Sequence, residues 1–238
     1  MLSFLKITQP YAIDPDDMAF SIHGTLVHTQ LENKAKELGM VAELSTTFDG
    51  RNVVDLIEVD GEEVTLTDYK TWGSFRMVKV LGIVSVGKMP DPTGAVYKKS
   101  GAWGVAGSPK MVSVFQQVPQ EADSYEAELQ LNRYRIMLRQ EVGINVTRMR
   151  VHAIVRDGSL AVATSRGVYR NTYLIPIRML EDEVVADYFS RKEMELHDAL
   201  KRGGWTVPCN SQECWDGRRC QDYCEVWNYC PKGLLERR

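Results

Sequence analysis

Residues 52–71 read NVVDLIEVDGEEVTLTDYKT, two runs of β-favouring residues on either side of Asp60-Gly61. An Asp-Gly pair between such runs is the strongest short hairpin signal, because a tight two-residue turn needs positive φ at its centre. Side chains alternate faces along a strand, so Val64, Leu66, Asp68 and Lys70 share one face of the second strand. An acid and a lysine thus lie just past two apolar residues. The plain alternative is a solvated ion pair on an exposed face. Val64 and Leu66 argue against it, since they mark that face as buried further back, and a buried acid needs a partner or a cation. With Asp55 on the neighbouring strand, two carboxylates and an ammonium form a set suited to holding a divalent cation and hydrolysing a phosphodiester.

Upstream, SIHGTLVHTQLENKAKELG (21–39) reads as an amphipathic helix. Val27, Leu31, Ala35 and Leu38 make its apolar stripe, His28 sits at the stripe's edge, and Gly39 is its stop. Residues 41–48 predict a strand and Asp49-Gly50 a turn, so a helix followed by a three-stranded meander is expected. Residues 1–20 show no strong periodicity.

Downstream, MVKVLGIVSVG (77–87) reads as strand or buried helix, and MVSVFQQV (111–118) as a returning strand. Between them, residues 87–110 are rich in Gly and Pro and carry Lys88, Lys98, Lys99 and Lys110 against Asp91 alone. That stretch is either a long functional loop or a hairpin with a solvated tip. Residues 123–142 predict a strong helix ending at Gly143, with Gln130 and Tyr134 on one face. Residues 145–155 and 160–164 read as a hairpin around Asp157-Gly158, with Arg148 and Arg150 alternating against Met149 and Val151. A strand at 173–177 and a long charged helix at 180–202 follow. This order predicts an α/β or α+β fold with a mixed central sheet.

At 238 residues, 44% hydrophobic and 26% charged, the chain has the composition of a globular protein with room for one substantial domain and a small appendage. No apolar run reaches the roughly 18 residues a membrane span needs, so no membrane is expected. The opening MLSFLKITQPYAIDPDD is too polar and acidic for a secretory signal, which points to the cytoplasm. A net charge of −3 does not announce a nucleic-acid binder. Carboxylates gathered for a metal count as negative until it binds, however, so local basic patches weigh more.

All five cysteines lie near the end: Cys209, Cys214, Cys220, Cys224 and Cys230. A secreted disulfide scaffold would spread them, whereas clustering points to a metal or a cluster. Such a set suits tetrahedral zinc or iron–sulfur. The Cys220-x3-Cys224-x5-Cys230 spacing, followed by Pro231, is nearer to cluster-binding loops than to paired zinc knuckles, and Trp215, Tyr223, Trp227 and Tyr229 would shield it. Unligated thiols are the plain alternative. His28, like His23, His152 and His197, reads by itself as a packed or surface histidine more readily than as a ligand.

Taken together these residues resemble the RecB-like branch of the PD-(D/E)xK nuclease superfamily. Gly24-Thr25-Leu26-Val27-His28 is similar to the family's opening helix motif, whose histidine binds metal. Asp55 falls at its first metal-binding acid. Asp68-Tyr69-Lys70-Thr71 is similar to its (D/E)xK motif, and Gln130-x3-Tyr134 to its QxxxY motif. The resemblance implies a restriction-endonuclease-like core over 1–202, and Mg²⁺ or Mn²⁺ held by His28, Asp55, Asp68 and the Tyr69 carbonyl. Lys70 would be catalytic, and Gln130 and Tyr134 would meet DNA, with Lys98, Lys99, Arg148 and Arg150 tracking its backbone. The cysteine tail, 203–238, resembles that of the branch comprising CRISPR-adaptation nucleases and iron–sulfur RecB-type exonucleases, and so implies a 4Fe–4S cluster, with zinc as the alternative. That branch commonly places a fourth cysteine near the N-terminus. Here Cys209 or Cys214 must replace it beside Cys220, Cys224 and Cys230, and Cys209, preceded by Pro208, is favoured. The expected activity is a metal-dependent deoxyribonuclease, an exonuclease on single-stranded DNA or DNA ends. The rivals are an end-processing subunit working with recombination or CRISPR-adaptation proteins, and a non-catalytic DNA-binding subunit.

Overall fold

The hairpin expected at Asp60-Gly61 forms with its turn one residue on: Asp60 pairs with Glu63, and Gly61, at φ +59, and Glu62 join the two antiparallel strands. The computed structural model describes residues 1–45, 52–205 and 207–237. Its helices are α1 (Leu2–Thr8), α2 (Pro15–Glu37), α3 (Ser74–Leu81), α4 (Tyr125–Met137), α5 (Ala161–Thr164), α6 (Asp182–Arg202) and α7 (Pro231–Glu236). Its strands are β1 (Val41–Ser45), β2 (Val53–Asp60), β3 (Glu63–Trp72), β4 (Ile83–Pro90), β5 (Met111–Gln117), β6 (Arg148–Val155) and β7 (Thr172–Pro176). The expected Asp49-Gly50 turn and the end of the strand expected over 41–48 lie outside the described residues. The chain divides into two compact units, Leu26–Leu180, and Met1–Thr25 with Glu181–Arg238.

In the first unit a five-stranded mixed sheet runs β1-β2-β3-β6-β7. β1, β2 and β3 form the expected meander, β3 pairs in parallel with β6, and β7 closes the far edge antiparallel. Helices cover both faces. Leu66, Met149, Val151 and Ala153 pack against Met77 and Val80 of α3 and Leu131 of α4. On the opposite face Leu56 and Tyr69 pack against Ala35 and Leu31 of α2. Leu66, Val151, Leu131 and Met77 are all but sealed from water, and burying each such side chain stabilises by about 1.5–3 kcal/mol.

The 77–87 stretch is both of its alternatives in succession, helix to Leu81 and strand from Ile83. Gly82 makes the switch in the left-handed conformation (φ +62), where a Cβ would meet the Val118 carbonyl oxygen at 2.2 Å. The basic stretch after it follows the hairpin alternative, with β4 and β5 paired as a separate two-stranded sheet.

Residues 160–164 correct the sequence reading. They form the helical turn α5, not a strand, with Ala163 fully buried. A short apolar run cannot be told from a buried helix by periodicity, and the edge of β6 is already taken by β7. Asp157 does not serve the turn alone: its carboxylate accepts the Ser74 N–H and hydroxyl at 2.7 and 2.6 Å and so caps the start of α3.

In the second unit α1 forms where no periodicity was visible. Phe4 and Leu5 are buried with Ala199, Val226 and Cys230, and Lys6 pairs with Glu225 at 2.8 Å. Tertiary burial, not propensity, holds so short a helix. The cysteine tail expected over 203–238 therefore shares its unit with α1 and α6.

Candidate metal centre and cysteine cluster

The β2–β3 ladder stops at Leu56↔Thr67. One step beyond, the Asp55 carboxylate accepts the backbone N–H of Tyr69 at 2.7 Å, standing in for a ladder partner as the strands part. A strand residue's carbonyl points to the same edge as its N–H, so the Tyr69 carbonyl faces this notch too. His28 approaches from α2, its Nδ1 3.6 Å from Asp55 Oδ2 and its ring edge-on to Tyr69. The Asp55 carboxylate beside it raises the imidazole's pKa against the opposing effect of burial.

Asp68 is the buried centre of the site, 4% exposed at the floor of the sheet. Lys70 Nζ donates to its Oδ1 at 3.0 Å and lies 2.8 Å from Oδ2. From α4, Gln130 Nε2 donates to Oδ1 at 3.2 Å and lies 3.4 Å from the Tyr134 hydroxyl. Despite the nearness of Lys70, Oδ2 is buried and receives no well-directed hydrogen bond. Burial, reinforced by the charge of Asp55, pushes the Asp68 carboxyl up to about 6, against the pull of Lys70. Residues that the sequence singled out separately thus form two neighbouring groups, His28 with Asp55 and Asp68 with Lys70, Gln130 and Tyr134.

An under-coordinated buried carboxylate oxygen, a second carboxylate and an imidazole form the donor set that suits Mg²⁺ or Mn²⁺. The residues fit such an ion, although among the described residues no three His, Cys, Asp or Glu side chains already converge on one point. The Lys70 ammonium instead neutralises Asp68 directly.

Arg148 and Arg150 lie apart from these residues. They sit on the α2 face of β6, while Asp68 and Lys70 face α4. Arg148 pairs with Glu63 at 2.6 Å, and Arg150 pairs with Glu58 while donating to Thr67 Oγ1 at 2.9 Å. Lys98 and Lys99 are exposed on the β4–β5 hairpin.

Asn132 was not visible as a site residue. It is fully buried two positions past Gln130, its amide donating to the Glu128 and Arg178 carbonyls at 2.8 and 2.9 Å and its oxygen accepting the Leu180 N–H at 2.9 Å. It anchors α4 and with it Gln130 and Tyr134. The one available signal was an amide within a helix whose neighbours Ala127, Leu129 and Leu131 are apolar.

In the other unit all five cysteines carry free thiols. Cys214, Cys220 and Cys230 are buried. The Cys220 thiol is pushed up to about 11, chiefly by burial and then by the charge of Cys214, Cys224 and Cys230. Cys209 is raised chiefly by burial, and of the thiols Cys230 acts on it. Lys232 Nζ donates to Cys214 Sγ at 3.0 Å and the Gly233 N–H to Cys230 Sγ at 3.5 Å. The buried Nε–H of Arg219 has no acceptor. Among the described residues no three of these thiols already converge on one point; the cationic and N–H donors at Cys214 and Cys230 suit sulfurs that carry negative charge.

Comparison with protein-family models, with curated proteins and with solved structures returns no match for this chain. No helix of the described residues is long and apolar enough to cross a membrane.

Proposed function

We propose that the chain is a metal-dependent deoxyribonuclease with a restriction-endonuclease-like core of the RecB-like PD-(D/E)xK type. The observation that carries this reading is the pairing of His28 with Asp55 where β2 leaves β3, beside a buried Asp68 that meets Lys70 and Gln130, with Tyr134 next to Gln130. A surface ion pair would not bury Asp68 or leave one of its oxygens without a directed hydrogen bond.

His28, Asp55, Asp68 and the Tyr69 carbonyl would hold Mg²⁺ or Mn²⁺. When bound, the cation supplies charge neutralisation for the phosphate and a more acidic water. Asp68, buried and flanked by Asp55, stays ionised above about pH 6. Lys70, released from neutralising Asp68, turns its ammonium to the attacking water and the phosphate oxygens, holding the water in line and stabilising the charge that develops. Gln130 and Tyr134 hold the strand across the notch. Sheet and helix packing keep water from Asp68, which strengthens its interactions.

The cysteines would ligate a 4Fe–4S cluster that stabilises the unit formed by α1, α6 and the tail, with no electron transfer needed for hydrolysis. The surroundings favour Cys214 over Cys209 as the fourth ligand beside Cys220, Cys224 and Cys230, because Cys214 is buried, acts on Cys220 and receives Lys232.

The test is cleavage of end-labelled single- and double-stranded DNA in Mn²⁺ and in EDTA. Mn²⁺-dependent shortening supports the assignment. Binding without cleavage under all conditions supports a non-catalytic subunit, and cleavage only with added recombination or CRISPR-adaptation proteins supports an end-processing role.

A further inference from the structure

Trp103 is 88% exposed. The four other tryptophans, Trp72, Trp205, Trp215 and Trp227, are all partly buried. A lone exposed aromatic needs no special reason, but this ring contributes little to the core and leaves its faces open to solvent.

The turn that carries it is well built. Gly101 and Gly104 exchange both backbone hydrogen bonds, at 2.9 and 3.2 Å, leaving Ala102 and Trp103 at the two central positions. The Tyr97 ring packs close against Gly104, where a Cβ would come within 2.4 Å of it. Ser100 Oγ accepts the Ala106 N–H at 3.0 Å, and Tyr97 pairs with Ser108 and Gly107 at 3.0 and 2.8 Å. The hairpin is thus braced from β4 and β5 to its tip, and Val96 and Val105 on the same extension are exposed too.

The charge around the tip has one sign. Lys98 and Lys99 adjoin it and Lys88 and Lys110 stand at the base of the extension. The one acid there, Asp91, is engaged by the N–H and hydroxyl of Thr93 at 2.9 and 2.7 Å. An exposed apolar ring on a hairpin whose charge is basic complements a ligand with exposed π-faces and a regular negative backbone. Unpaired nucleotides have both, whereas a duplex hides its base faces and an acidic peptide has no face to stack.

We propose that the Trp103 tip of the β4–β5 hairpin is a base-stacking site for single-stranded DNA, with Lys98 and Lys99 on the adjoining phosphates. This rests on the nuclease reading and gives the single-stranded substrate expected there a contact outside the metal notch.

The test is fluorescence anisotropy of a labelled oligothymidine and of a duplex of equal length, bound to the full chain in EDTA across a range of salt. Trp103→Ala is expected to weaken single-strand binding on the order of ten-fold, with duplex binding little changed. Trp103→Phe, which keeps a ring, should restore most of the affinity. The salt slope should be unchanged in Trp103→Ala but fall by about one to two units when Lys98 and Lys99 are both alanine. Single-strand affinity equal to wild type in Trp103→Ala, or equal losses on both DNAs, overturns the site and leaves the nuclease reading standing if cleavage persists. A wild-type chain that binds neither DNA overturns both.

Discussion

The Lys70 ammonium lies 2.8 Å from Oδ2 and 3.0 Å from Oδ1 of Asp68, inside a site that otherwise raises the cost of ionising that carboxyl. The lysine is therefore both the neighbour that keeps Asp68 tolerable and the group that a bound cation would set loose. Asp68→Asn keeps the shape and removes the buried charge. It is expected to abolish Mn²⁺-dependent cleavage while stabilising the metal-free protein on the order of 1–2 kcal/mol at pH 7.5. Denaturant unfolding beside a cleavage assay checks this; an Asn variant less stable than wild type would count against a strained carboxylate.

The same carboxyl makes the effect of metal depend on pH. Its folded pKa, about 6, lies above its ordinary value of 3.8. This group's contribution to stability is therefore full below about pH 3.8 and is lost as pH rises through 6. A divalent cation binds the ionised form and competes with protons there and on His28, whose pKa is also raised. The rise in Tm caused by millimolar Mn²⁺ should be larger at pH 7.5 than at pH 5.0. An equal or larger rise at pH 5.0 would remove Asp68 and His28 from the ligand set.

Asn132 ties α4 to the 178–180 segment through hydrogen bonds that have no solvent to replace them. Asn132→Ala should destabilise the protein by about 2–4 kcal/mol, since the Arg178 carbonyl and Leu180 N–H are left without it. Surviving folded protein should cleave more slowly, with the loss in kcat and little change in metal affinity, because Gln130 and Tyr134 shift while His28 and Asp55 do not. Unchanged stability would show that the segment finds other partners.

For the cysteines, anaerobically purified protein should be brown, absorbing at roughly 400 nm. Cys214→Ser should lose that absorbance and most of the iron, while Cys209→Ser keeps both. The reverse pattern would return the fourth ligand to Cys209, and a colourless protein with stoichiometric zinc would replace the cluster altogether.

The hairpin at 52–71, the α4 helix and the Gly stops were legible because their signals are local: alternation, an Asp-Gly turn, a helical period ending at Gly143. The mixed sheet followed from their order. What was not legible depends on packing between distant segments. α1 has no pattern of its own and exists through Ala199 and Val226. α5 reads as strand until β7 is seen to hold the edge of β6. Asp55, Asp68 and His28 could be singled out by type, but only the splaying of β2 from β3 brings them together. The resemblance, with Pro208 before it, favoured Cys209; that Cys214 is the more buried thiol and receives Lys232 depends on packing that no spacing shows. The side on which Arg148 and Arg150 lie was written in the alternation of β6, yet their pairing with Glu63 and Glu58 needed the β2–β3–β6 register.

The most direct measurement is single-turnover cleavage of end-labelled DNA in Mn²⁺ by wild type, Asp68→Ala and Lys70→Ala, with circular dichroism of the same samples. The account predicts three folded proteins, of which only the wild type cuts at an appreciable rate, with losses on the order of a thousand-fold in each variant. Either variant cleaving at the wild-type rate would contradict it.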